Sequence, residues 1–391
     1  MPKADSSRIQ ISVLKQTGFK DIPSEAFKAI RHTGGSFGAP QETNRSNAIR
    51  GDAQRGGAVR VGLNPEATIN MELTAKTFDD LIEGLMRSTW SSEVNVVDTG
   101  ITADSQGSKF TSTSWTGENI EEGMWVHVSG FANAGANGWF KVMSIDGADL
   151  NVIPAPADDT NTEANEIQVQ GSYIRNGAET PYYALQLEHL DLDNKIRLIK
   201  DARIGVMNLS VDSRSIVTGS IQAVGTNYEL PESRAGDGEI VDAPDVEILN
   251  TSDHLKGVFI NDELFDAEVM SFSLTANMNP RRQNALGKVT SADVGMGSLD
   301  ASGSLSIYLT DATWDDMLLK YKDFTKFRIA FALEDSEGNG YVFELPRIVL
   351  SNEPGNIPGP DNDVMLSLDF SGEPGTVGNQ SKTLQICKRS N

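Results

Sequence analysis

Cysteine is almost absent from this chain of 391 residues, which carries one, Cys387. A single thiol can build neither a disulfide framework nor a cysteine metal site, and Cys387 falls in residues 376–391, which read as a loose polar tail. Histidine is scarce as well. His32, His127, His189 and His254 form no H-x-H or H-x-x-x-H pair, so a zinc cluster or a histidine-based catalytic group has no local support. No apolar run approaches the length that spans a bilayer, and the N-terminus lacks the basic-then-apolar pattern of a secretory signal; assembly in the cytoplasm is the expectation. Positive charge is also short. With 33 Lys and Arg against 55 Asp and Glu, the net charge is −22, which argues against a protein that grips nucleic acid by its phosphates.

The chemistry-bearing motifs are missing too. Gly287-Lys288 is followed by Val289 and not by the Ser or Thr of a phosphate loop, and Gly295-x-Gly297 does not continue into a dinucleotide pattern. "DSEGNG" at 335–340 lacks calcium-loop spacing and fits a hairpin turn. No catalytic residue, cofactor or metal is expected, and the protein is read as a non-enzyme.

What is present is a repeat. "MELTAKTFDDLIEGLM" at 71–86 recurs 236 positions later as "IYLTDATWDDMLLKYK". Each reads as a strand, a cap and a helix. Thr77 and Thr313 are the expected N-caps, with Asp80 and Asp316 favouring the positive helix end. Phe78, Leu81, Ile82, Leu85 and Met86, and in the second copy Trp314, Met317, Leu318 and Tyr321, make the apolar stripe that each helix should bury. At the same offset Arg45 meets Arg281 and Gly51 meets Gly287. Further on, "ALQLE" at 184–188 resembles "AFALE" at 330–334, and the offset has fallen to about 146. The first copy therefore holds roughly 90 residues that the second lacks.

The expected organisation is discontinuous: a first unit at 1–90 with 181–230, an inserted small β domain at 91–180, a linker at 231–250, a second unit at 251–375, and the tail. Period-two alternation dominates both units, so the predicted class is mainly β with minor α: two tandem β-sandwich or barrel domains, each with one flanking helix, plus a small β-barrel standing away from the body. That insertion is acidic, with thirteen acids against three bases. Residues 33–66 are Gly-rich and locally basic through Arg45, Arg50, Arg55 and Arg60; a loop that long usually binds something, and it reads as an extended arm. Residues 276–303, with Arg281, Arg282 and Lys288, are its counterpart.

"SNAIRGDAQRGGAVRVG", "INMELTAKTFDDLIEGLM" and "WVHVSGFANAGANGWFKVMSID" together resemble the tail tube proteins of phages with long, non-contractile (siphovirus-type) tails. The resemblance implies a structural virion protein whose subunits form rings that stack around a lumen for genome delivery. It implies partners as well: further copies of the chain, a tape measure protein in the lumen during assembly, tail terminator and distal tail proteins at the ends, and genomic DNA passing without tight binding, with no membrane. Six tube units per ring can come from three two-unit chains, so a homotrimeric, pseudo-hexameric ring is expected, with the seven basic arm residues at ring or subunit interfaces. The alternative is a tail-tip or spike protein whose inserted domain binds a host receptor or carbohydrate, with exposed Trp115, Trp125 and Trp139 stacking on sugars.

Overall fold

The computed structural model describes residues 3–49, 51–113, 115, 119–193, 195–352 and 357–389. Arg50, one of the four arm arginines, lies outside them. The first unit contains β1 (Ile9–Lys15), β2 (Gly34–Gly38), β3 (Glu66–Glu72), the helix α1 (Asp79–Met86), β4 (Tyr183–His189), β5 (Ile196–Asp212) and β6 (Thr218–Val224). The second contains β7 (Leu255–Ile260), β8 (Val269–Asn277), β9 (Asp300–Tyr308), β10 (Phe327–Glu334), β11 (Gly340–Asn352) and β12 (Met365–Gly372). Between β9 and β10 lies a helical segment from Asp311 to Lys322 whose middle, Trp314–Leu318, is a π-helical turn.

The two units pair their strands in the same order. In the first, β1 pairs with β4 and β4 with β5; the second half of β5 then pairs with β6, β6 with β3, and β3 with β2. In the second, β7 pairs with β10, β10 with β11, β11 with β12, β12 with β9, and β9 with β8. The two meet edge to edge, because Val206–Asp212 of β5 pair with Asn277–Ser271 of β8. One sheet thus runs β2–β3–β6–β5–β8–β9–β12–β11 across both units. The mainly β class stands, while the boundary expected at 231–250 divides the sequence and not the sheet. Even that segment is strapped down: Ile240–Val241 pair in parallel with Phe27 and Lys28, and Leu249 is buried.

Alternation explains the layers. Along β3, Ala67, Ile69 and Met71 are buried while Glu66 and Asn70 face out, and β8 repeats this with Phe272, Leu274 and Ala276 inward. These residues join Phe78, Leu81, Ile82, Leu85 and Met86 of α1 in one core that passes through both units. Gly84 of α1 lies against the sheet so closely that a Cβ there would stand 2.7 Å from both Ile204 Cγ1 and Tyr183 Cε2.

Two expectations about the periphery are corrected. Residues 385–389 are no loose tail: they form β13 (Gln385–Arg389), paired on one side with Ser172–Arg175 of the insertion and on the other with Gly340–Glu344 of β11. Cys387 is buried there, and burial pushes its thiol up to about 12. Nor does the insertion stand away from the body. Among the described residues it has seven strands between Val94 and Arg175, and its core includes Phe259, Ala330, Ala332, Val342 and Cys387 from outside it. Its polar atoms reach the same neighbour. Lys141, nearly fully buried, donates to Glu344 at 2.5 Å and to Asp262 at 2.9 Å, and Trp125 Nε1 donates to Glu344 at 2.9 Å. A buried carboxylate needs such partners, so the insertion and second unit interlock. Their acidic content alone could not reveal this.

Candidate assembly surfaces

The residues singled out as arms form two β-hairpins. Gln41–Arg45 pair with Ala58–Leu63, and every residue of the first strand is exposed; the arm is paired strand and not a single extended chain. Arg45, Arg55 and Arg60 project from it into solvent. In the second unit Arg281–Gln283 pair with Asp293–Gly295. Arg281 and Lys288 are exposed, whereas Arg282 is partly buried and donates to the Gly225 and Pro65 carbonyls at 2.8 and 2.7 Å. Arg282 is therefore an anchor that fixes the second hairpin to the root of the first. The two also touch directly, Leu63 N donating to Val289 O at 2.9 Å. At each tip stands a fully exposed aliphatic residue, Ile49 and Leu286.

The helix caps differ from expectation by one turn or one role. Thr310, and not Thr313, is the second N-cap: its Oγ1 accepts from Thr313 N at 3.2 Å while its own N–H donates to Thr313 Oγ1 at 2.7 Å. In the first unit Thr74 Oγ1 donates to Thr77 Oγ1 at 2.8 Å, and α1 begins later, with Phe78 at the cap position and no side-chain cap. Asp80 pairs with Lys28 at 2.7 Å and Asp316 with Lys320. Asp79 does more structural work, accepting from Tyr341 Oη at 2.7 Å and Lys388 Nζ at 2.5 Å, so it ties α1 to the second unit and to β13. Phe78, Leu81 and Met317 are buried as expected; Trp314 is about half exposed. The wider π-helical turn rotates the helix face, which keeps Met317 inward and turns Trp314 out.

A third surface could not be assigned to residues from the sequence. The face of the long sheet opposite the core is lined by Ser, Thr, Asn and Gln, including Thr68, Asn70, Gln222, Asn208, Ser304 and Ser367. Its charged members are Glu66, Glu72, Asp212, Asp300 and Asp369, and β3, β6, β8, β9 and β12 contain no Lys or Arg. Strand parity in the sequence gives two faces but not which is which; the core contacts decide it. Trp115, Trp125 and Trp139, which the receptor-binding alternative needs on the insertion's surface, are all buried, Trp125 completely, so they offer no platform for sugar stacking.

The long sheet ends, among the described residues, in two open edges. β2 pairs on one side only, with β3. β11 has β10 on one side as far as Ile348; beyond it β11 pairs with β12 alone, where the matching stretch of β5 has β8 on its other side. No curated protein matches the chain. The family model for phage tail tube protein matches residues 6–372, and the chain belongs to that family.

Proposed function

We propose that this is a structural tail tube protein that closes into trimeric, pseudo-hexameric rings, and that the rings stack into the conduit through which a siphovirus-type genome is delivered. The observation that carries the reading is the join within the chain. β5 of the first unit meets β8 of the second, and by the repeated pairing order β11 is the counterpart of β5 and β2 the counterpart of β8. The join that links units inside one chain is thus available between chains, from the open edge of β11 to the open edge of β2. Three chains joined in this way make six units in a ring whose long sheet closes on itself, which removes the liability of its two exposed edges.

In this arrangement the Ser- and Asn-rich face, which carries acids and whose strands β3, β6, β8, β9 and β12 contain no Lys or Arg, lines the lumen. A polyanion held by basic groups would stick through many phosphate contacts; acids across a water layer let it pass. The basic hairpins leave the sheet at one rim, where Arg45, Arg55, Arg60, Arg281 and Lys288 can meet an adjacent ring. Tape measure, terminator and distal tail proteins are the remaining proposed partners.

The test is Ser36→Lys in β2. Ser36 is exposed on this edge strand, where lysine is tolerated by the strand itself but discourages pairing with a second edge. The variant should fold and melt like the parent and form no tubes. Normal tubes would remove the proposed join.

A further inference from the structure

The two hairpin tips have a matching pair of receptors on the opposite rim of the same sheet. A cavity of about 200 Å³ beside the first residues of β8 is lined by Leu255, Val258, Val269, Met270, Phe272 and Phe331. A second, of about 320 Å³, lies beside the first residues of β2, with Ile9, Ile11, Phe37 and Leu187 in its wall. These are equivalent places in the two units: β7, β8 and β10 form the first, and β1, β2 and β4 the second. The hairpins leave from the other ends of the same two strands, after Gly38 and after Asn277. Each unit therefore presents an apolar knob at one rim and an apolar socket at the other. Knobs and sockets number two each per chain.

We propose that Ile49 and Leu286 of one ring insert into these two cavities on the next copy of the chain along the tube. The inference rests on the tube reading and names the site that receives the arms. Charge supports the direction. The receiving rim carries exposed Asp212 at the end of β5, Glu268 before β8 and Asp311 after β9, with Arg214 beside them, while the hairpins bring Arg45, Arg55, Arg60 and Lys288. Exposed ion pairs alone are weak; burying an aliphatic knob supplies the larger share. One cavity is also more complete than the other. Val211 to Arg214, from the end of β5, help wall the cavity beside β8. Among the described residues, no strand end of the same chain does this for the cavity beside β2. Ring closure would supply it from the neighbouring chain, so stacking follows closure.

The full-length protein tests this through Ile49→Asp with Leu286→Asp, residues whose exposure leaves the monomer's fold untouched. The double variant should melt like the parent, and the concentration needed for tubes should rise about tenfold or more, the cost of one well-buried contact. In parallel, each tip cysteine (Ile49→Cys or Leu286→Cys) is combined with each socket cysteine (Ser7→Cys or Ser252→Cys) and oxidised after assembly. Each tip should cross-link to one socket, giving a ladder of chains on a denaturing gel. Tubes that form equally well from the Asp variant, or parent-like tubes in which no combination cross-links, overturn the inference and leave the tube reading standing. A parent protein that forms no tubes removes both.

Discussion

Lys141 carries the contact between insertion and second unit, because it is almost wholly buried between Glu344 and Asp262, with Arg328 reaching both acids from the other side. Removing one member of a buried ion cluster leaves charge without compensation and typically costs about 3–5 kcal/mol. Lys141→Met should lose about that much in chemical denaturation, toward the low end because Arg328 remains. A loss below about 1 kcal/mol, the range of exposed pairs, would mean that the network contributes little. Nothing in the sequence pointed here. Lys141 sits in an alternating strand like any surface lysine, and its partners lie 121 and 203 positions away.

At the scale of elements, the sequence was read well where periodicity and local chemistry agree. The strand around "AFALE", the buried face of α1 and the "DSEGNG" hairpin, whose Asp335 accepts from Glu337 and Asn339 amides, all follow local rules. It was misread where long-range contact decides. Residues 385–389 look polar, yet Gln385 and Arg389 are buried because they bond to Gly123, Glu344 and Gln170. The insertion reads as separable because the second unit lacks it, yet deleting it would uncover Phe259, Ala330 and Val342. Trp314 follows the helical period, and a π-helical turn turns it outward. Gly84 is the clearest element-scale test. Alanine would ordinarily favour a helix, but here its Cβ meets buried Ile204 and Tyr183. Gly84→Ala should destabilise by about 1–3 kcal/mol, the usual cost of overpacking, as measured by thermal or urea unfolding; a more stable variant would show that α1 can move off the sheet.

For the molecule as a whole, the net charge of −22 gains a geometry. Glu66, Glu72, Asp212, Asp300 and Asp369 lie on one face of the long sheet with hydroxyls and amides between them, so the proposed lumen is polar and repels DNA. Changing Glu72, Asp212 and Asp369 together to Lys adds six positive charge units per chain to that face. Tubes of this variant should retain duplex DNA fragments at low salt and release them as salt rises, whereas parent tubes should retain none. Equal behaviour of the two would place that face elsewhere than the lumen.

The central claim is that one chain contributes two equivalent units to a ring and joins the next chain by the same kind of edge contact that joins its own halves. Electron cryomicroscopy of assembled tubes measures this directly. The account predicts three chains per ring, six similar lobes, a sheet continuous from β11 of one chain to β2 of the next, and the Ser- and Asn-rich face inward. Six chains per ring with strict sixfold symmetry, or rings whose β2 and β11 edges stay unpaired, would contradict it.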